Sequence, residues 1–119
     1  MKNYILFPLM ILCFYGNSQN NLEPSVQKVG DLIKATYYHS DGSIAQEGTF
    51  NSIGKLHGQW VSYDFDGNTQ SQGLYNNGKK VGRWFFWTKT LLKEVDFENS
   101  VIVNVNEWHL DESIAMNLN

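Results

Sequence analysis

DGSIAQEGTFNSIGKLHGQWVSY, Asp41–Tyr63, and DGNTQSQGLYNNGKKVGRWFFW, Asp66–Trp87, are two versions of one sequence. Asp41-Gly42 matches Asp66-Gly67, Gly48 matches Gly73, and Phe50-Asn51 matches Tyr75-Asn76. After one extra residue in the first copy, Gly54-Lys55 matches Gly78-Lys79, Gly58 matches Gly82, and Trp60 matches Trp84. Self-similarity at a short fixed period marks a repeat architecture, so the fold is read unit by unit.

Each unit alternates tight-turn dipeptides with aromatic and β-branched runs. Asp-Gly and Asn-Gly tolerate the positive φ that hairpin turns need. The runs between them show the alternation of a strand and lack the i, i+3, i+4 spacing of a helix. The expected strands are Ser43–Phe50, Lys55–Phe65, Asn68–Tyr75 and Lys79–Thr88. Chained together they predict an all-β antiparallel meander of hairpin repeats. Gly54 and Gly78 are expected to serve turns; Gly48, Gly58, Gly73 and Gly82 are expected to let neighbouring strands pack closely.

Half-units extend the ladder. LIKATYYHS (Leu32–Ser40) reads as the second strand of an earlier unit, and LLKEVDFENS (Leu91–Ser100) as the first strand of a later one. In the later one Phe97 takes the place of Phe50 and Tyr75, and Val95 that of Gly48 and Gly73. VIVNVNEW (Val101–Trp108) closes that unit or folds over the aromatic face.

GTFNSIGKLHGQW and GLYNNGKKVGRW resemble the MORN repeat, in the bacterial variant that reads G-x-aromatic-x-N-G-K-x-x-G-x-W-x-x-aromatic. The resemblance runs from Leu32 to about Phe97, and it implies an elongated, twisted, single-layer antiparallel sheet used for protein or lipid contacts. Bacterial members often carry a toxin–antitoxin antitoxin label, which is not transferred to a chain with an export leader. The departures are Ile53 inserted in the first copy, Thr69 and Ser71 at apolar positions, and the decayed third copy. The expected organisation is a repeat domain over 32–110, with good copies at 41–65 and 66–88 and partial copies at 32–40 and 91–108.

The N-terminus sets the expected location. Lys2, the apolar run Tyr4–Tyr15, and Gly16 and Ser18 ahead of Gln19 have the order of a secretory signal peptide over residues 1–18. An uncleaved anchor is the rival. Leu12 before Cys13 does not suit lipid attachment at that cysteine. A linker is expected over 19–31 and a tail over 111–119, with export to the periplasm or exterior. Past residue 18 there is no cysteine, which excludes disulfides and thiolate chemistry from the expected mature chain.

Charge is segregated. From Lys55 to Lys93 the cations Lys55, Lys79, Lys80, Arg83, Lys89 and Lys93 face only Asp64 and Asp66; from Glu94 onward all charged side chains except His109 are acidic. The two blocks either neutralise each other or meet partners of opposite sign. GKKVG is not a phosphate loop, because no Ser or Thr follows the lysines and an aromatic strand, not a helix, comes next. His39, His57 and His109 have no partner at ligand spacing, and Asp64 and Asp66 alone could make a carboxylate pair. No enzyme, metal or cofactor is expected, and net acidity argues against nucleic acid.

The expected contact surface is aromatic and basic: Trp60, Tyr63, Lys79, Lys80, Arg83, Trp84, Phe86 and Trp87. Trp60 and Trp84 are expected to stack across units, with Ser62 and Phe86 beside them and Tyr63 and Trp87 on the opposite face. Phe86 stands out, since the first copy has Ser62 there. Aromatic rows also resemble sugar-binding platforms, though the sequence pairs no acidic or amide cluster with them. The expected function is a non-catalytic module binding a protein partner. The alternatives are contact with anionic lipid at the envelope and edge-to-edge self-association.

Overall fold

The computed structural model describes residues 22–110. The leader and tail expectations therefore fall outside the described residues. Eight strands run in sequence order through one sheet: β1 (Ser25–Val29), β2 (Leu32–Tyr38), β3 (Ile44–Phe50), β4 (Gly58–Tyr63), β5 (Thr69–Asn76), β6 (Lys79–Trp87), β7 (Leu91–Glu98) and β8 (Val101–His109). Every neighbouring pair is antiparallel, so the fold is the expected all-β meander, a twisted single-layer sheet. There is no helix among the described residues.

Turn chemistry sets the register. At Asn77-Gly78 both central residues have positive φ (49° and 87°), the geometry that matches strand twist in a two-residue hairpin. Asn99-Ser100 adopts the same conformation (49° and 69°) without a glycine. The Asp64 carboxylate accepts hydrogen bonds from the backbone N–H of Asp66 and Asn68, both at 2.9 Å. Asp64 thus serves the turn, its carboxylate held by two backbone N–H groups.

Two strand expectations change. The linker expected over 19–31 contains β1, which pairs with β2 from Ser25↔Thr36 to Val29↔Leu32. The strand expected from Lys55 begins only at Gly58, apart from a single bridge between Phe50 and Leu56. The insertion at Ile53 explains this. It widens the turn, which closes on Asn51, whose side-chain oxygen accepts from the N–H of Ile53 and Lys55.

A one-layer sheet must build its core on one face. Here the core forms where an indole lies on a glycine. Trp60 lies over Gly48 and Trp84 over Gly73, so that an added Cβ would sit 2.1 Å and 2.0 Å from the respective rings. Each indole N–H then reaches the carbonyl one residue past its glycine: Trp60 Nε1 to Thr49 O (2.9 Å) and Trp84 Nε1 to Leu74 O (3.1 Å). Only 5% and 4% of these tryptophans stays exposed.

Between the indoles run edge-to-face contacts. Phe50 meets Trp60 at 5.3 Å, Trp60 meets Tyr75 at 6.5 Å, Tyr75 meets Trp84 at 5.1 Å, and Trp84 meets Phe97 at 6.1 Å. Rings from five consecutive strands form one file in the geometry that aromatic quadrupoles favour. The tryptophans share a face as expected, but they do not stack on each other; Tyr75 separates them. Tyr75 also joins the two buried clusters, one around Ala35, Tyr37, Phe50 and Trp60, the other around Trp84, Val95 and Phe97.

The glycines divide by role. Gly48 and Gly73 are close-approach positions, and Gly54 and Gly78 are turn positions with φ of 85° and 87°. Gly82 is different from expectation: nothing lies within 4 Å of its missing Cβ, and its φ of 73° accommodates the register shift between β5 and β6. Gly58 combines a φ of 101° with a close Thr49 hydroxyl.

Candidate binding surface

Alternation along the strands assigns the expected contact residues to two faces. Gly82, Trp84 and Phe86 pair with Phe97, Val95 and Lys93 on the core face, whereas Arg83 and Trp87 pair with Asp96 and Leu92 on the other. Tyr63 lies on that second face too, where its hydroxyl donates to Glu47 at 3.0 Å. The proposed strip is therefore not one surface. Trp60 and Trp84 are core, and contact with a partner is closed to them.

The cations are also separated. Lys80 sits over the rings of Trp84 and Phe97, at 5.5 Å and 5.2 Å. On the opposite face Arg83 makes a two-pronged contact to Asp96 (2.8 and 3.2 Å) and approaches Glu94 at 3.7 Å. Lys93 pairs with Glu107 at 3.4 Å. The basic and acidic blocks thus neutralise across β6, β7 and β8 in part. The Arg83 guanidinium holds the Asp96 carboxyl below its ordinary range, helped by the Asn104 amide. Lys55, Lys79 and Lys89 form no ion pair among the described residues.

Phe86 does not stand out as a free anchor. It is half-buried and lies nearly parallel to Trp84, 6.0 Å away. Trp87 is half-buried and parallel to Phe85 at 5.8 Å. Trp87 belongs to a longer row on the second face, because Leu92 pairs with both Trp87 and Trp108.

The largest apolar exposure lies where no contact was expected. β8 pairs with β7 from Leu91↔His109 to Glu98↔Val101 and covers nothing. The alternative that Val101–Leu110 folds over the aromatic face is thereby overturned: its residues find strand partners on β7 instead. All nine residues of β8 are exposed, and Val101, Ile102, Val103, Val105 and Trp108 retain 44–62% of their surface. The reading of Val101–Trp108 as the strand that closes the last unit holds; its exposure along the whole length was not legible in the sequence.

Among the described residues no group of three His, Cys, Asp or Glu side chains could hold a metal. His39 stacks on Phe65 at 4.1 Å and its Nε2 lies 3.0 Å from the Tyr63 carbonyl, while the backbone N–H of Asn77 reaches His57 Nδ1 at 3.1 Å. Both rings are thus used locally. No family model, curated protein or solved structure matches the chain.

Proposed function

We propose that this is an exported, non-catalytic interaction module, and that it takes up an extended strand of a protein partner along the outer edge of β8. The observation that carries this is β8 itself: nine residues long, exposed throughout, and without the Lys or Pro that commonly protects an edge. Strand addition obtains affinity from main-chain hydrogen bonds and specificity from alternate side chains. The row Trp87, Leu92 and Trp108 supplies apolar anchors on one face, and Glu107 lies on the other. Near the edge Glu94 and Asp96 share Arg83 and Glu107 pairs with Lys93, which leaves the surroundings mildly negative with Glu98 unpaired among the described residues, so the fitting strand is β-branched with a minority of cationic residues. The likeness to MORN repeats supports the same class of role.

Lipid contact through the basic strip is less well supported, because Lys80 and Arg83 are engaged within the sheet. A synthetic Val/Lys alternating peptide, followed by fluorescence anisotropy across a salt series, tests the reading. Binding should weaken with salt and drop at least tenfold in Val103→Lys. Unchanged affinity in that variant sinks the proposal. Light scattering that shows self-association through β8 in place of peptide binding would assign the edge to a second copy.

A further inference from the structure

The sheet ends in two open edges, β1 and β8. Among the described residues β1 pairs only with β2, and all five of its residues are exposed. Every neighbouring pair is antiparallel and the strands number eight, so β1 and β8 run in opposite directions. A second copy set edge to edge in the same orientation therefore brings its β1 antiparallel to β8. An odd number of strands would make that junction parallel.

The core row has its two ends at those edges. Val26 pairs with Ala35, and Ala35 with Gly48; at the far side Trp84 pairs with Val95, and Val95 with Val105. Ala35 and Val95 are 1% and 4% exposed, whereas the outermost residues Val26 and Val105 keep 61% and 44% of their surface. Val26 of one copy opposite Val105 of the next joins the two rows, with Ala35, Val26, Val105 and Val95 in line. The same register sets Gln27 beside Asn104 and Ser25 beside Asn106 on the other face, polar against polar.

Charge decides which edges meet. Within the strands β1 holds one charged residue, Lys28, and β8 holds Glu107 with no Lys or Arg. A β1–β1 pair therefore collects two lysines and a β8–β8 pair two glutamates; only β1 on β8 combines opposite signs. The contact of Glu107 with Lys93 weakens this preference without reversing it.

We infer that the strand captured by the β8 edge is β1 of a second copy, so that copies assemble head to tail. This rests on strand capture at β8 and names the strand that is captured. β1 reads Ser-Val-Gln-Lys-Val, β-branched with one cation, as that edge requires. The two surfaces differ, so the contact is heterologous. Each added copy leaves one β1 and one β8 open, and growth gives a filament.

Sedimentation of the full chain and two variants, over a concentration and salt series, tests the inference. Val103→Lys meets Lys28 in this register and spoils β8, while Val26→Glu spoils β1; both valines are exposed, so the fold tolerates the changes. The unaltered chain should gain mass with concentration and lose it with salt. Each variant alone should stay monomeric, and mixing the two should give a one-to-one dimer and nothing larger. Dimers of either variant alone, a mixture that stays monomeric, or assembly that survives both changes overturns the inference. An unaltered chain that stays monomeric yet binds the Val/Lys peptide also overturns it, and leaves strand capture standing. Neither assembly nor peptide binding removes both. The one-to-one dimer without peptide binding upholds the inference and removes the foreign partner.

Discussion

Gly73 and Gly67 separate two reasons for a glycine. Gly73→Ala would push a methyl carbon to 2.0 Å from the Trp84 ring, so the indole must leave its seat; a loss of roughly 2–4 kcal/mol is expected in urea unfolding. Gly67→Ala meets no atom within 4 Å and costs only the strain of a φ of 88°, about 1 kcal/mol. Equal losses at the two positions would remove the indole-on-glycine account. Titration belongs at this scale as well. Asp96 has its pKa lowered, first by the Arg83 hydrogen bond, so its contribution is present above the unfolded carboxylate pKa and disappears as pH falls through the folded value. Asp96→Asn should therefore flatten stability against pH below about pH 4. Tyr75 behaves oppositely. Burial raises its pKa, so its contribution holds below the unfolded value near 10 and disappears as pH rises through the folded one. Tyr75→Phe should blunt alkaline unfolding, read by circular dichroism. The sequence showed which positions needed glycine, because the copies coincide there. It did not show that Gly82 serves a backbone bend, since a missing side chain looks the same for either purpose.

Among the elements, the hairpins were legible because their turns carry Asp-Gly and Asn-Gly in register. β1 was not: it is only five residues long, fully exposed, and lacks an aromatic partner in the repeat pattern. The late start of β4 was hidden by the Ile53 insertion, whose effect on the turn depends on Asn51 hydrogen bonds that no spacing reveals. β8 could be read as a strand, but whether it extends the sheet or covers a face is a choice of tertiary packing. Val103→Lys should leave stability within about 0.5 kcal/mol, as a surface change at 52% exposure, while lowering the strand-capture signal. A large fall in the urea midpoint would mean that Val103 is structural, and the edge would need another account. Within the candidate surface, alternation already put Tyr63 and Trp87 on the face opposite Trp60 and Trp84. The burial of both indoles on glycines was not legible, because it depends on which strand lies beside which.

At the scale of the whole molecule, each strand hydrogen-bonds to its sequence neighbours, and among the described residues no distant pairing closes the sheet. Stability is then a sum of local interfaces, as in solenoid repeats. Amide exchange should be slowest in β3–β6, where the two indoles are seated, and should quicken toward β1 and β8; uniform protection would contradict this. The row that crosses the sheet through Gly48, Trp60, Gly73 and Trp84 continues to Val95 and Val105, which face each other on β7 and β8. Those two valines take the places that a glycine and a tryptophan hold in the earlier copies. The Val95 side chain occupies the seat in which a further indole would lie. At this pair valine faces valine in place of indole on glycine, so among the described residues the seating of a tryptophan on a glycine is restricted to the two earlier units. The double change Val95→Gly with Val105→Trp should lift that restriction, giving a third buried indole with blue-shifted emission.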